Sequence, residues 1–126
     1  LVKPCETVLD MFTGVAPFPI MIAKYAKPEM IYAIDKNKDA IELAKKNILI
    51  NNVLDKIEII NIDSKEIYKL FMIKNIKLDR IIMNLPFFGH EFFNYAIKIL
   101  KEYGFIHYYT ILDEKNIKRR WKGNTK

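Results

Sequence analysis

The sequence predicts a Rossmann-like α/β fold, a three-layer sandwich in which helices cover both faces of a mainly parallel sheet of about five strands. Apolar runs of strand length alternate with stretches of helical periodicity, which is the pattern of βαβ units. Polar and acidic residues follow several of the apolar runs, where the ligands of such sheets bind. No repeat or linker interrupts the alternation in the 126 residues, which predicts one domain.

The first half of the chain predicts two strands, each followed by a helix. The predicted bounds are residues 7–11 for the first strand, 18–25 for the first helix and 30–34 for the second strand. Asn37 is a suitable N-cap for the second helix, because its side-chain oxygen can accept hydrogen bonds from the first turn. That helix ends near Asn51 and Asn52. Its apolar face consists of Ile41, Ala44 and Ile48.

The second half predicts three more strands. The third covers residues 57–62, the fourth 79–83 and the fifth 105–112. A short amphipathic helix with Ile67, Leu70 and Phe71 separates the third strand from the fourth, and a helix with Phe93, Ala96, Ile97 and Leu100 precedes the fifth. Pro86 breaks the chain after the fourth strand, because proline cannot donate to a central ladder. Gly104 is predicted to end the last helix.

Five candidate ligand-binding residues lie at or just after predicted strand ends, namely Asp10, Gly14, Asp35, Asp63 and Asn84. Gly14 permits a tight turn and a close backbone approach to a ligand. Asp35 ends the second strand, where an acid can accept hydrogen bonds from both hydroxyls of a ribose. A nicotinamide or flavin dinucleotide would use such an acid in the same way, so Asp35 indicates an adenosine ribose without identifying the cofactor. Asp63 suits an adenine amino group, although it or Ser64 could equally cap the following helix.

The positive charge of the chain is concentrated at one end. The net charge is +6, and residues 115–126 contain six basic side chains and no acid, so residues 1–114 are balanced. We therefore divide the chain into a core over 1–114 and a basic tail over 115–126, which either contacts RNA phosphates or is solvated. The one cysteine, Cys5, excludes an internal disulfide and a multi-cysteine zinc site, which favours a cytoplasmic protein without a metal. The apolar runs are too short to cross a membrane.

The sequence Asn84-Leu85-Pro86 resembles the Asn-Pro-Pro-Tyr class of motif in methyltransferases that modify planar nitrogen groups. With the aromatic Phe92 nearby, it is similar to the archaeal and eukaryotic tRNA methyltransferases that act on N1 of guanosine 37. The resemblance spans essentially the whole chain. Three further stretches carry it: Asp10-Met11-Phe12-Thr13-Gly14-Val15 with Pro17-Phe18, Tyr32-Ala33-Ile34-Asp35 with Asn37, Ala40 and Ile41, and Ile106-His107-Tyr108-Tyr109.

This resemblance implies a class I methyltransferase core that binds S-adenosylmethionine and acts on tRNA. It implies which residues bind the cofactor and which residues face the target base. The cofactor-binding residues would be Asp10, Phe12, Gly14, Asp35, Asp63 and Asn84. Asn84 and Pro86 would face the base as the catalytic pair, because one amide offers both a donor and an acceptor to a base edge. A glutamate and an arginine upstream of the first strand are expected to assist removal of the N1 proton.

Several residues near these motifs have a structural as well as a functional interpretation. His107 lies in an apolar strand and is more typical of a hydrogen-bonded core histidine, whereas His90 is beside the Asn-Leu-Pro loop. Phe87, Phe88 and Phe92 either stack on a flipped base or belong to the core. Ala16 stands where the family usually has a second glycine. Its methyl group either crowds the methionine end of the cofactor or is tolerated at the helix N-terminus.

The resemblance also predicts what accompanies this domain. The family fold continues after the fifth strand through a helix and an antiparallel strand pair, and we expect the chain to be partial at both ends. An upstream tRNA-recognition domain or a partner chain would complete it, since an open sheet edge favours association. Two alternatives to the methyltransferase remain open. One is a non-catalytic fragment that binds cofactor or RNA, and the other is an aminocarboxypropyltransferase of the wyosine pathway.

Overall fold

Five strands and four α-helices alternate in the part of the chain that the computed structural model describes, residues 2–84 and 92–109. This order confirms the Rossmann-like α/β prediction. The elements are β1 (Thr7–Asp10), α1 (Pro17–Tyr25), β2 (Met30–Asp35), α2 (Lys38–Ile50), β3 (Ile57–Asn61), α3 (Ser64–Ile73), β4 (Leu78–Asn84), α4 (Phe93–Ile99) and β5 (Leu100–Tyr109), with a short 3₁₀ turn at Leu54–Lys56. The predicted basic tail lies outside the described residues.

The strands form one sheet in the order β3-β2-β1-β4-β5, and each neighbouring pair is parallel. The chain adds strands on one side of β1 as far as β3 and then crosses to the other side for β4. The order therefore reverses between β1 and β4. In an open parallel sheet, the crevice at the carboxyl ends of the strands beside such a reversal is where ligands bind.

Alternate residues of each strand pack against different helical layers. On one face Val8, Ile31 and Ala33 contact the α2 residues Ala44 and Ile48. On the other face the buried residues are Leu9, Ile34, Ile81 and Met83 of the sheet with Ile67 and Phe71 of α3 and Ala96 and Ile99 of α4. The two faces are both apolar, which explains why the strands are continuous apolar runs rather than alternating ones. None of the described helices is long and apolar enough to span a membrane.

The start of α2 is as the sequence predicts. Asn37 is the N-cap, and its Oδ1 accepts hydrogen bonds from the backbone N–H groups of Asp39 at 2.9 Å and Ala40 at 3.2 Å. These contacts satisfy two of the donors that a helix N-terminus leaves without a partner. The cap fixes the direction in which the chain leaves β2, and so positions Asp35 at the sheet edge.

The predicted boundary between the last helix and the last strand is wrong. α4 ends at Ile99, and Gly104 lies inside β5 instead of ending the helix. Leu78 pairs with Leu100 and Arg80 with Phe105, so β5 carries extra residues in a bulge opposite β4. A Cβ atom at Gly104 would lie 2.7 Å from Leu100 Cδ1 and 2.9 Å from the Asp79 carbonyl oxygen. The glycine is therefore explained by the bulge and its close backbone approach.

Candidate functional site

A cavity of about 380 Å³ opens at the carboxyl edge of the sheet, next to the reversal in strand order. It collects residues that follow four different strands. The described lining residues are Met11, Phe12, Gly14, Asp35, Lys36, Asp63, Ser64, Lys65, Asn84 and Phe92. The structure thus brings together most of the residues that the sequence singled out. Pro86, His90, Phe87 and Phe88 lie outside the described residues.

Gly14 and Asp35 connect the two turns that border the cavity. The Gly14 backbone N–H donates to Asp35 Oδ2 at 2.9 Å, and the Asn37 backbone N–H donates to Asp35 Oδ1, also at 2.9 Å. Gly14 has a φ of 56°, which glycine adopts without strain, and a Cβ atom built on it would meet nothing within 4 Å. The backbone at Gly14 therefore faces open space, as a closely approaching ligand requires.

Asp35 retains acceptor capacity after these two contacts. A carboxylate has about four lone-pair sites, and the backbone uses two of them. The side chain is half-buried and belongs to the cavity wall. It can therefore accept further hydrogen bonds from a ligand with neighbouring hydroxyl groups.

Asp63 lines the same cavity from the end of β3. Its Oδ1 accepts a hydrogen bond from the Lys65 backbone N–H at 2.9 Å, so Asp63 is the N-cap of α3. This settles which of the two predicted candidates caps the helix, since Ser64 is the first residue of α3 and is buried. Capping and ligand contact are compatible, because the cap uses one oxygen of a carboxylate that has two.

Asp10 lies behind the cavity wall and not on its surface. It is 1% exposed, and it accepts hydrogen bonds from the Phe12 backbone N–H at 3.3 Å and from Thr13 Oγ1 at 3.2 Å. Burial raises the pKa of Asp10 to about 7, against the two hydrogen bonds that lower it, and the nearby Asp35 adds to the increase. Asp10 therefore holds the turn that borders the cavity, and its predicted contact with a ligand stays a prediction.

Asn84 and Phe92 form the side of the cavity that belongs to β4 and α4. Asn84 is the last residue of β4 and is exposed, so its amide is accessible from the cavity. The ring of Phe92 meets that of Phe12 edge to face, with centroids 5.1 Å apart. These two rings give one wall an apolar surface beside the polar acids, a combination typical of sites for nucleosides and bases.

Ala16 does not line the cavity in the described structure. It is fully buried against the core face of α2, and its φ of 69° places it in the left-handed region at the N-cap of α1. The departure from glycine is therefore accommodated by the backbone, and the methyl group points into the core. Pro17 at the first helical position then starts α1, where its missing N–H costs nothing.

His107 belongs to a different part of the molecule. It lines a second cavity of about 370 Å³ under α1, and its Nε2 is 3.1 Å from Arg80 Nη1. Burial and the positive charge of Arg80 lower the pKa of His107. The preferred interpretation of His107 as a hydrogen-bonded structural histidine is consistent with this geometry.

Four lining residues were not among the sequence candidates: Met11, Lys36, Ser64 and Lys65. Each is directly next to a predicted candidate or within two residues of one. The usable signal is therefore position, since residues just beyond a strand end share the same edge of a parallel sheet. The two lysines matter most, because they put positive charge at the mouth of a cavity that also contains two carboxylates.

The sheet order, the glycine turn after β1 and the acids after β2 and β3 define a doubly wound α/β domain with a nucleoside-type cavity at its switch point. The family model described as the TRM5/TYW2 methyltransferase domain matches residues 1–124. The chain belongs to that family.

Two relatives and one solved structure show the range of the family. The chain is 49% identical over 106 residues to the tRNA (guanine(37)-N(1))-methyltransferase Trm5b of Methanocaldococcus jannaschii, covering 84% of this chain and 29% of that protein. It is 36% identical over 110 residues to the tRNA(Phe) (4-demethylwyosine(37)-C(7)) aminocarboxypropyltransferase of the same organism, covering 87% and 42%.

The solved structure is that of TYW2 from M. jannaschii in complex with AdoMet, with a TM-score of 0.80, 32% identity and coverage of 100% of this chain and 55% of that one. The chain spans less than a third of the length of the methyltransferase relative. The likeness is therefore to one part of these larger proteins.

Proposed function

We propose that this chain is the cofactor-binding core of an S-adenosylmethionine-dependent tRNA methyltransferase that modifies N1 of guanosine 37. The observation that carries the proposal is the Asp35 carboxylate, which joins the Gly14 turn to the start of α2 and still faces the cavity. The identity of 49% to a methyltransferase of that specificity supports the choice of reaction.

The residues of the cavity fit S-adenosylmethionine. Asp35 is placed to accept hydrogen bonds from the ribose hydroxyls, and Asp63 from the adenine amino group. The open space at Gly14 leaves room for the methionine part against the backbone. Asp10, behind that turn, favours a positively charged group in front of it. When bound, this cofactor supplies a methyl group activated by a positively charged sulfur.

Asn84 is the residue that we assign to the target base. It ends β4 at the cavity rim, and its amide can donate to one atom of a guanine edge and accept from another. Such contacts orient N1 toward the methyl group, which is the main contribution that positioning makes to a transfer reaction. Asn84 has no basic group and cannot remove the N1 proton. The family resemblance assigns that step to a glutamate upstream of β1, and it implies that Pro86 faces the base together with Asn84.

A second candidate is transfer of an aminocarboxypropyl group from the same cofactor. The 36% identity to such an enzyme favours it, and the cofactor contacts above would be unchanged. The Asn84-Leu85-Pro86 sequence favours methyl transfer instead. The two reactions are separated by the mass that is added to the tRNA, which differs between a methyl and an aminocarboxypropyl group.

The first test is calorimetric titration of the 126-residue chain with S-adenosylmethionine, with S-adenosylhomocysteine as the second ligand. Saturable binding with one ligand per chain is expected. No binding of either ligand would contradict the proposal and favour a fragment without a cofactor site. A methyl-transfer assay on tRNA, with the upstream recognition domain supplied, then compares the unmodified domain with Asn84→Ala, which should lower turnover and leave the affinity for the cofactor unchanged.

The proposal includes tRNA as the partner and the cytoplasm as the location. The name of the 49% identical relative supports the first, and the single cysteine supports the second. An upstream recognition segment or a partner chain is part of the same proposal. Gel filtration with and without tRNA measures both association and complex formation.

A further inference from the structure

Aromatic side chains form a connected series that leaves the cavity along α3 and α4. Phe92, on the cavity wall, lies 6.3 Å from Tyr95 between ring centroids, and Tyr95 lies 4.7 Å from Tyr68. All three residues are half-buried, and Tyr68 and Phe92 also pack against the core. The series begins in the cavity and continues along the outer surface of the α3–α4 layer.

Two lysines accompany these rings. Lys65 Nζ lies 6.0 Å from the centroid of Phe92, and Lys98 Nζ lies 5.3 Å from that of Tyr68. Both lysines are exposed, and neither has a carboxylate within salt-bridge distance among the described residues. We call Phe92, Tyr95, Tyr68, Lys65 and Lys98 the aromatic-lysine strip.

The surroundings of the strip are positively charged. Residues 64–77 and 92–99 contain five lysines and one acid, Glu66, which already pairs with Lys69 at 3.6 Å. The strip therefore lies in a part of the surface where lysines outnumber acids.

We propose that the aromatic-lysine strip binds the single-stranded nucleotides next to the target base of the RNA substrate. Base faces stack on aromatic rings and phosphates pair with cations, and a surface that interleaves the two is suited to unpaired nucleic acid. Phe92 and Lys65 belong to both the cavity and the strip, so a strand with one base in the cavity has its neighbours over Tyr95 and Tyr68. This inference rests on the proposed function.

The test measures binding of a fluorescein-labelled RNA hairpin with an anticodon-type loop to the whole chain, by fluorescence anisotropy. Lys98→Glu is expected to weaken binding about fivefold and to reduce the slope of log affinity against log salt by about 1. Tyr95→Leu is expected to weaken binding by about fivefold through lost stacking, whereas Tyr95→Phe retains the ring and the affinity. A blunt RNA duplex should bind more weakly than the hairpin.

Matched controls lie in the other helical layer. Lys46→Glu in α2 and Tyr25→Leu in α1 change exposed residues of the same types, and each should alter hairpin affinity by less than about twofold. The inference is overturned if these controls lose as much affinity as the strip variants. It is also overturned if the unmodified chain binds cofactor and no hairpin, or if polyglutamate displaces the hairpin as well as unlabelled RNA does, which would indicate an acidic protein partner.

Cofactor titration of the same variants separates the two proposals. The strip variants should bind S-adenosylmethionine with affinities within about twofold of the unmodified chain, since Tyr95 and Lys98 do not line the cavity. If the variants bind the cofactor normally and their hairpin affinity is unchanged, the RNA-binding proposal for the strip is rejected and the cofactor proposal is not. Absent cofactor binding with the expected hairpin losses rejects the methyltransferase proposal and leaves the RNA surface supported.

Discussion

Two cavities lined by the described residues have nearly the same volume but opposite electrostatics. The cavity at the carboxyl edge, of about 380 Å³, has Asp10 buried behind its wall, and the cavity under α1, of about 370 Å³, has Arg80 buried near it. Arg80 is neutralised, because its Nε lies 2.7 Å from Glu6 Oε1. Among the described residues, Asp10 is stabilised only by an N–H and a hydroxyl group.

This difference teaches that cavity size does not identify a ligand site, whereas a buried acid without a cationic partner does indicate one. The charges of an ion pair satisfy each other, so the pair needs no ligand. A buried acid without a cation has a raised pKa, and groups whose pKa is strongly shifted are concentrated at functional sites. The cavity next to Asp10 is therefore the one that we expect to attract a cationic cofactor.

The largest effect is expected for Arg80→Met, which removes the cation of the Arg80–Glu6 ion pair near the cavity under α1. Glu6 would then remain partly buried without its partner, and the free energy of unfolding should fall by about 3–5 kcal/mol. Urea denaturation measures this loss. The double variant Glu6→Gln/Arg80→Met should recover much of it, and equal stability of the single and double variants would show that Arg80 acts through packing alone.

The next effect is the pH dependence that Asp10 imposes on stability. Its pKa is raised from 3.8 to about 7 on folding, so folding favours the protonated form. The stabilising contribution is complete below the unfolded-state pKa and is lost as the pH rises from there through about 7, a change of about 4 kcal/mol. Unfolding curves of the unmodified chain and Asp10→Asn between acid and neutral pH should converge at low pH and separate as the pH rises. Parallel curves would mean that Asp10 is not the titrating group.

A smaller effect is expected when Asp35→Ala removes the acid on the surface of the carboxyl-edge cavity. Loss of two ribose hydrogen bonds to a charged acceptor should weaken S-adenosylmethionine binding about a hundredfold, or about 2.7 kcal/mol. Asp39→Ala, which removes an exposed acid from the first turn of α2, is the matched control. Cofactor affinity that is equal in the two variants would remove Asp35 from the site.

The smallest effect is expected at Ala16, where glycine would restore the residue typical of the family. Ala16→Gly relieves the left-handed backbone strain but removes a buried methyl group and increases the entropy of the unfolded chain, so the change in unfolding free energy should stay within about 1 kcal/mol. Cofactor affinity should not change, because the methyl group points into the core. A large gain in affinity would instead show that Ala16 does crowd the ligand. Thermal denaturation and titration measure the two quantities.

The sequence predicted the strands and most helices because each has a strong local signal. The apolar runs of β1 to β4 and the Asn37 cap are such signals. The boundary at Gly104 failed for the opposite reason: a glycine after a helix usually ends it, but this glycine is required by the approach of the Asp79 carbonyl oxygen on the neighbouring strand. That contact joins residues far apart in sequence, and no local pattern reports it.

The site was predictable to the level of which residues share an edge. Gly14, Asp35, Asp63 and Asn84 could be grouped because parallel strands bring their carboxyl ends to the same side. Their separate roles were not predictable. Asp10 and Asp35 are both acids at strand ends, yet one is buried behind the wall and the other faces the cavity, and only the path of the turn at residues 11–14 decides this.

The sequence by itself therefore determined the order of elements, the edge at which a ligand binds and the family to which the chain is similar, because all three depend on local periodicity and on short motifs. Tertiary structure alone decided which charges are neutralised, where the methyl group of Ala16 points and how the rings of α3 and α4 connect to the cavity. These properties depend on distances between residues that are remote in the chain. Packing sets such distances, and composition and spacing do not encode them in any local pattern.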